Sequence, residues 1–356
     1  MPQKKQQQKL ADIPVTTRRL NHLANELKLS ETAQQRALVL ASLKPDNAAW
    51  LSFIDSLLLI SGVTLILVGV MAFFAYNWTD LNKFAQFALI EVALVAGVVL
   101  TYIKGVDSLA GKSALFAAAV LTGVLLAVYG QTYQTGADPY GLFFTWAVLI
   151  SGWALIGRNG GLWLLFLVLL NLSLVMYWTQ IVHPEDWRNT VGSLLGPFAG
   201  ITFSLTDFAL AQWVFALNTG ALVIWESFRR RGPAWMGGRS FPRITAVLAL
   251  VPIVISTLVF ILTSGDSHYR GESFLSPVFF VVFTAMVLYY FSTKQLDLFI
   301  LAVGLLALIV VVTTLLARVM NAGFEMFIIL SLAIIAQSAA AAQWLRKVKN
   351  AWETAS

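Results

Sequence analysis

The chain has 356 residues, of which 58% are hydrophobic and 12% charged, roughly half the charged share of an ordinary soluble domain. A water-soluble globule could not hide that much apolar surface, so the composition excludes one. The lack of cysteine excludes disulfides, thiolate metal sites and cysteine nucleophiles, while the +6 charge lies at the ends of apolar runs, which argues against nucleic acid as a partner.

The N-terminal tail is polar, with Lys4, Lys5 and Lys9 among glutamines, and it reaches Trp50 before a long apolar stretch begins. A cleaved secretory signal would place a short apolar core within about the first thirty residues, so none is expected. Leu20, Leu23, Ala24 and Leu27 recur at helical spacing, Ser30 interrupts, a second helical run covers 31–43, and Pro45 ends it. This predicts a short cytoplasmic helical hairpin over residues 1–48. Its apolar face either lies on the membrane or bundle, or engages a protein partner.

Ten apolar runs follow, near 53–76, 84–103, 113–130, 140–157, 162–180, 208–227, 244–263, 275–292, 296–317 and 324–345. Each is long enough, at about 1.5 Å per residue, to cross a hydrocarbon core roughly 30 Å thick. The fold class is therefore all-α, a polytopic membrane protein with a first bundle over 49–182 and a second over 208–356. Between them, 183–207 reads as an outer loop, and its apolar piece 194–205, broken by Gly196, Pro197 and Gly200, is too short to span and reads as interfacial or re-entrant.

Lys and Arg resist translocation and accumulate in cytoplasmic loops. With both termini inside a bacterial inner membrane, 20 of the 24 fall on the inner side, including Arg229, Arg230 and Arg231, and only Lys83, Arg188, Arg270 and Arg318 face out. Trp50, Trp78, Trp178, Trp187, Trp225, Trp235, Trp344 and Trp352 stand near predicted span ends, the depth that indoles favour. Small residues at Ala114, Ala117, Ala118, Thr122 and Ala127, and again from Ser338 to Ala342, mark the third and tenth spans as candidates for close helix packing.

In this topology Asn77, Trp78, Gln131, Tyr133, Gln134 and Asp138 gather on the outer side as a polar and aromatic patch. Amides and phenols offer donors and acceptors beside flat rings, which suits a neutral or zwitterionic ligand, a sugar or a lipid headgroup. Interfacial anchoring and helix capping use the same residue types. Glu91 lies seven positions into the second span, about 10 Å below its end. A charge at mid-membrane costs roughly 2.5–3.5 kcal/mol, so Glu91 is expected to face the bundle, either in a proton relay or as a protonated carboxyl bonded to a neighbouring helix.

The amides Asn171, Gln212, Asn218 and Gln337 read as glue between helices, and Asp55, Asp207, Asp297 and Glu325 as carboxylates complementing helix N-termini. The run 106–113 ends in Gly-Lys-Ser but lacks the first glycine of a phosphate loop and follows a membrane helix. The three histidines, His22, His183 and His268, do not share one side of the membrane. Neither a metal site nor a cofactor is expected.

The stretches Ala75-Tyr76-Asn77-Trp78, 129–136 (Tyr-Gly-Gln-Thr-Tyr-Gln-Thr-Gly) and 142–146 (Leu-Phe-Phe-Thr-Trp) resemble the signature of an uncharacterised bacterial family of predicted membrane proteins, the domain of unknown function DUF2157. The likeness covers roughly 20–178, the N-terminal half. It implies a multi-span bacterial inner-membrane protein and transfers no catalytic assignment. Three functions follow as expectations, with membrane lipids as the common surroundings. The first is transport or translocation of a small molecule or lipid, with a proton-linked step if Glu91 serves as a relay. The others are a membrane-embedded envelope enzyme and a non-catalytic scaffold or regulator that binds a partner through its N-terminal hairpin. The first is favoured over an enzyme because no paired-carboxylate arrangement stands out near His183, Glu185 and Asp186.

Overall fold

The computed structural model describes residues 17–41, 47–77, 82–133, 138–182, 207–229, 232, 234–263, 274–320 and 324–355. Trp78, Gln134 and the 194–205 segment lie outside them. The described chain forms α1 (Thr17–Glu26), α2 (Glu31–Leu40), α3 (Asn47–Asn77), α4 (Lys83–Lys104), α5 (Leu109–Tyr133), α6 (Pro139–Ile156), α7 (Gly160–Tyr177), α8 (Phe208–Arg229), α9 (Ser240–Thr263), α10 (Leu275–Thr293), α11 (Leu298–Val319) and α12 (Phe324–Ala355). A π turn, Trp178–Val182, extends α7, and a 3₁₀ turn, Ala234–Gly237, precedes α9.

Ten of these helices, α3 to α12, are long and apolar enough to cross a membrane. Helices are the expected answer, because hydrocarbon offers no partner to a free backbone group and a helix satisfies its own. Polar side chains set where several of them start. Ser30 accepts from the Ala33 amide at the head of α2, Asn82 from Ala85 at α4, and Asn159 from Gly161 at α7. Asp207 accepts from Ala209 and Leu210 at α8, and Asp297 from Phe299 and Ile300 at α11. These satisfy donors that no helical turn can reach. Gly105, at φ +79°, ends α4 in a conformation that favours glycine.

Contacts divide the chain into two units, Met1–Leu65 with Arg346–Ser356, and Ile66–Leu345. In the first, α1 packs on α2, with Leu20 and Ala24 buried while Leu23 and Leu27 remain exposed.

In the second unit successive helices pack as antiparallel neighbours: α4 on α5, α6 on α7 and α8 on α9. Helix α9 also meets α7, α10 and α11, which makes it the hub of the later group. Apolar clusters sit along the sequence of contacts. Ile90, Leu121 and Val128 gather Leu67 and Val70 from the end of α3. Leu115, Ala147, Ile150 and Leu162 join α5, α6 and α7. Leu167, Trp225, Met236 and Phe241 join α7, α8 and α9.

Small residues do the work expected of them in α5, where Ala114, Ala118, Ala119, Thr122 and Gly123 are buried. A Cβ added at Gly97 of α4 would stand 3.1 Å from the Ala114 carbonyl and 3.2 Å from the Ala118 Cβ, so the two backbones approach closely. The expectation fails in α12, where Ser338, Ala339, Ala340 and Ala342 are exposed and none of the most apolar stretch is buried within the chain. Small size permits close approach without compelling it.

Candidate functional site

The sequence-predicted patch is only partly assembled by described residues. Asn77 ends α3, and Gln131 and Tyr133 are exposed in the last turn of α5. Asp138, also exposed, precedes α6 and makes no side-chain cap bond. Tyr133 is the member with defined surroundings. Its ring stacks on Phe87 at 6.2 Å and lies 4.9 Å from that of Tyr129, with the Lys83 ammonium 5.9 Å from its centroid. This is an aromatic and cationic surface at the join of α4 and α5, of the sort that anchors at a membrane interface.

Glu91 is placed differently from expectation. It is exposed on α4, one turn beyond Phe87, and forms no hydrogen bond or ion pair among the described residues. Ile90, fully buried, takes the inward position beside it, because the face that meets the bundle runs through Gln86, Ile90 and Thr101. The carboxyl thus falls on the flank of α4.

The amides behave as glue. Asn171 of α7 and Asn218 of α8 exchange two hydrogen bonds, 3.2 and 2.7 Å, and each also donates to the carbonyl one turn before it. Gln337 donates to Thr313 at 3.4 Å, tying α12 to α11.

The most developed polar cluster lies where α8, α10 and the α10–α11 link meet, and its central residue, Glu226, escapes the sequence reading. Glu226 ends an apolar span and its side chain is 8% exposed. Arg229, one turn on, donates Nε and Nη2 to its two carboxylate oxygens at 3.2 and 2.7 Å. The Tyr290 hydroxyl donates to the same carboxylate at 3.0 Å. Arg229 also donates to Gln295 in the link. The acid–x–x–arginine spacing at the end of α8 was the available signal; Tyr290 and Gln295, over sixty residues away, have no local signature.

The same link is gripped from α9. Asp297, 3% exposed, receives Arg243 at 3.0 Å and Arg239 at 3.4 Å, while Arg239 also donates to the Leu296 carbonyl. The arginines that orient loops in the sequence are therefore also intramolecular ties. Asp297 serves twice, as the cap of α11 and as the acceptor of both guanidiniums.

Two clefts border α8. One, about 630 Å³, lies among α6, α7 and the first half of α8, lined by Tyr140, Phe144, Ser173, Tyr177 and Trp213. The other, about 480 Å³, lies between the second half of α8 and α10, lined by Thr219, Val223, Glu226, Met286 and Tyr290. Exposed apolar rims, Phe144 and Trp213 for the first and Val223 and Met286 for the second, show that both open sideways. At 1.5 Å per residue, Trp213 and Glu226 are about 20 Å apart along the helix. Among the described residues no group of three or more His, Cys, Asp and Glu could hold a metal ion.

Comparison with known proteins gives one finding. Residues 22–163 match the model of the family described as predicted membrane protein, DUF2157, a stretch that runs from the second half of α1 to the start of α7. No curated protein and no solved structure matches the chain. The cluster at Glu226 and both α8 faces thus lie outside the matched residues.

Proposed function

We propose that this integral membrane protein resides in a bacterial inner membrane with both ends in the cytoplasm and translocates a lipid or another amphipathic small molecule. The observation that carries the reading is that α8 borders one apolar, laterally open cleft in each half of its length. A hydrophilic solute needs a wet path, whereas these walls are mainly aromatic and aliphatic, with Glu226 at one end of the second, and suit the chains of an amphiphile entering from the bilayer. The excess of Lys and Arg on one set of loops supports the orientation.

The test is lipid flipping in vesicles. The purified chain, reconstituted with a fluorescent lipid, is expected to make inner-leaflet probe accessible to an external quencher faster than protein-free vesicles do. Filling the two clefts with Ala216→Trp and Val223→Trp is expected to slow that exchange by about tenfold, a barrier increase near 1.4 kcal/mol. Exchange no faster than in empty vesicles would end the proposal. In the same assay, a rate unaltered by Glu91→Gln removes the proton-linked form.

A second reading, a membrane scaffold, is favoured by Glu91 itself. A carboxyl on the flank of a membrane helix is better accommodated when another polypeptide covers it.

A further inference from the structure

We infer that the end of the cleft between α8 and α10 binds the headgroup of a zwitterionic amphiphile, its ammonium on Glu226, which lines the cleft, and its phosphate on Arg229, which is paired with Glu226 beside it. The inference rests on the translocation reading and names the substrate class of one of its clefts.

The argument starts from charge. Glu226 and Arg229 are both nearly buried, at 8% and 13% side-chain exposure, and together they are neutral. A simple cation approaching Glu226 meets Arg229 beside it, and a simple anion approaching Arg229 meets Glu226. Only a ligand carrying both charges gains from both, and in a site of low dielectric that difference is magnified.

The bonding pattern leaves room for such a ligand. Oε1 of Glu226 accepts only the 3.2 Å bond from the Arg229 Nε, so it retains acceptor capacity. Arg229 uses Nε and Nη2, and its Nη1 edge has no partner among the described residues. Tyr290 and Gln295 hold the pair in place from α10 and the link after it. The guanidinium is held in one orientation, and its two Nη1 hydrogens remain to donate to a phosphate oxygen.

Depth supplies the second observation. Thr219 lines the same cleft, and its hydroxyl is buried with no hydrogen-bond partner among the described residues. It lies two turns before Glu226, roughly 10 Å along α8. A buried hydroxyl left unpaired is uncommon, and a linkage between headgroup and chains, such as a glycerol ester carbonyl, would reach it. Between Thr219 and Glu226 the walls are apolar, with Leu222 and Val223 on α8 and Phe283 and Val287 on α10, which suits the nonpolar part of an amphiphile. Of the nearby arginines, Arg239 and Arg243 both bond Asp297.

The test measures retained lipid by native mass spectrometry on the full chain in detergent, with phosphatidylethanolamine and phosphatidylglycerol offered at equal concentration. Wild type is expected to retain the zwitterion over the anion by about tenfold. Glu226→Gln, which frees Arg229 for an anion, is expected to reverse the order. Thr219→Val, close in shape, is expected to weaken retention by roughly threefold without changing the order. Free phosphoethanolamine is expected to compete poorly; if it displaces the lipid at equal concentration, the ligand is a soluble zwitterion and the amphiphile assignment falls. Equal retention of both lipids by wild type overturns the inference even if Glu226→Gln fails to fold. Selective retention without flipping in vesicles overturns translocation and leaves the site standing, whereas flipping without selectivity does the reverse.

Discussion

The helices α4 to α7 and the helices α8 to α11 are both bundles of four, yet they are held by different means. In the earlier group the backbones come close: Gly97 meets Ala114 and Ala118, and the Trp146 indole lies over Gly123 and donates to the Ala119 carbonyl at 2.7 Å. Its one described ion pair, Arg158 with Asp107 at 3.7 Å, is exposed on both sides. In the later group the packing residues are bulky, with Phe215 stacked on Phe279 and edge-to-face with Phe283, and the ends are tied by guanidiniums on Glu226, Gln295 and Asp297. Lipid supplies no hydrophobic drive between helices, so a bundle relies on intimate contact or on polar ties. Close backbone contact dominates in the earlier group and charged ties in the later one.

The sharpest break in that comparison is Asp297→Ala. It removes the cap of α11 and the acceptor of two arginines at once, and is expected to lower stability by about 3 kcal/mol, moderated because Arg239 and Arg243 are themselves half exposed. Denaturant unfolding in detergent, followed by tryptophan emission, reads it. A loss below about 1 kcal/mol would mean the ties are ornamental. Next comes Gly123→Val in the earlier group. The added branches enter the Trp146 ring, with an expected loss of about 2 kcal/mol by the same assay. A neutral outcome would show that α5 and α6 separate freely. The smallest effect belongs to Arg158→Ala, below about 0.5 kcal/mol, since the pair it breaks is exposed; a larger loss would mean that charge also holds the earlier bundle.

How far sequence carries depends on whether the signal is local. All ten spans were legible because hydrocarbon imposes length and apolarity on each segment separately. Asn171 and Asn218 were legible as glue, since an amide in a span has few alternatives. Glu91 was not: its charge argued for the bundle, but orientation around a helix is settled by neighbours, and Ile90 took the inward place. Glu226 hid for the opposite reason. It sits at a span end, where acids attract little notice, and its importance comes from Tyr290 and Gln295, which only folding brings near.

Pro252 lies buried inside α9, the helix on which α7, α8, α10 and α11 all lean. Lacking an amide hydrogen, it leaves the Leu248 carbonyl one turn earlier without its helical donor, and the Thr245 and Ser256 hydroxyls of the same helix are buried with no partner among the described residues. The pivot of the later bundle therefore carries a point of compliance at mid-length. A bend concentrated there would alter the tilt of the helix's two halves independently, so the four helices around it need not move as one block.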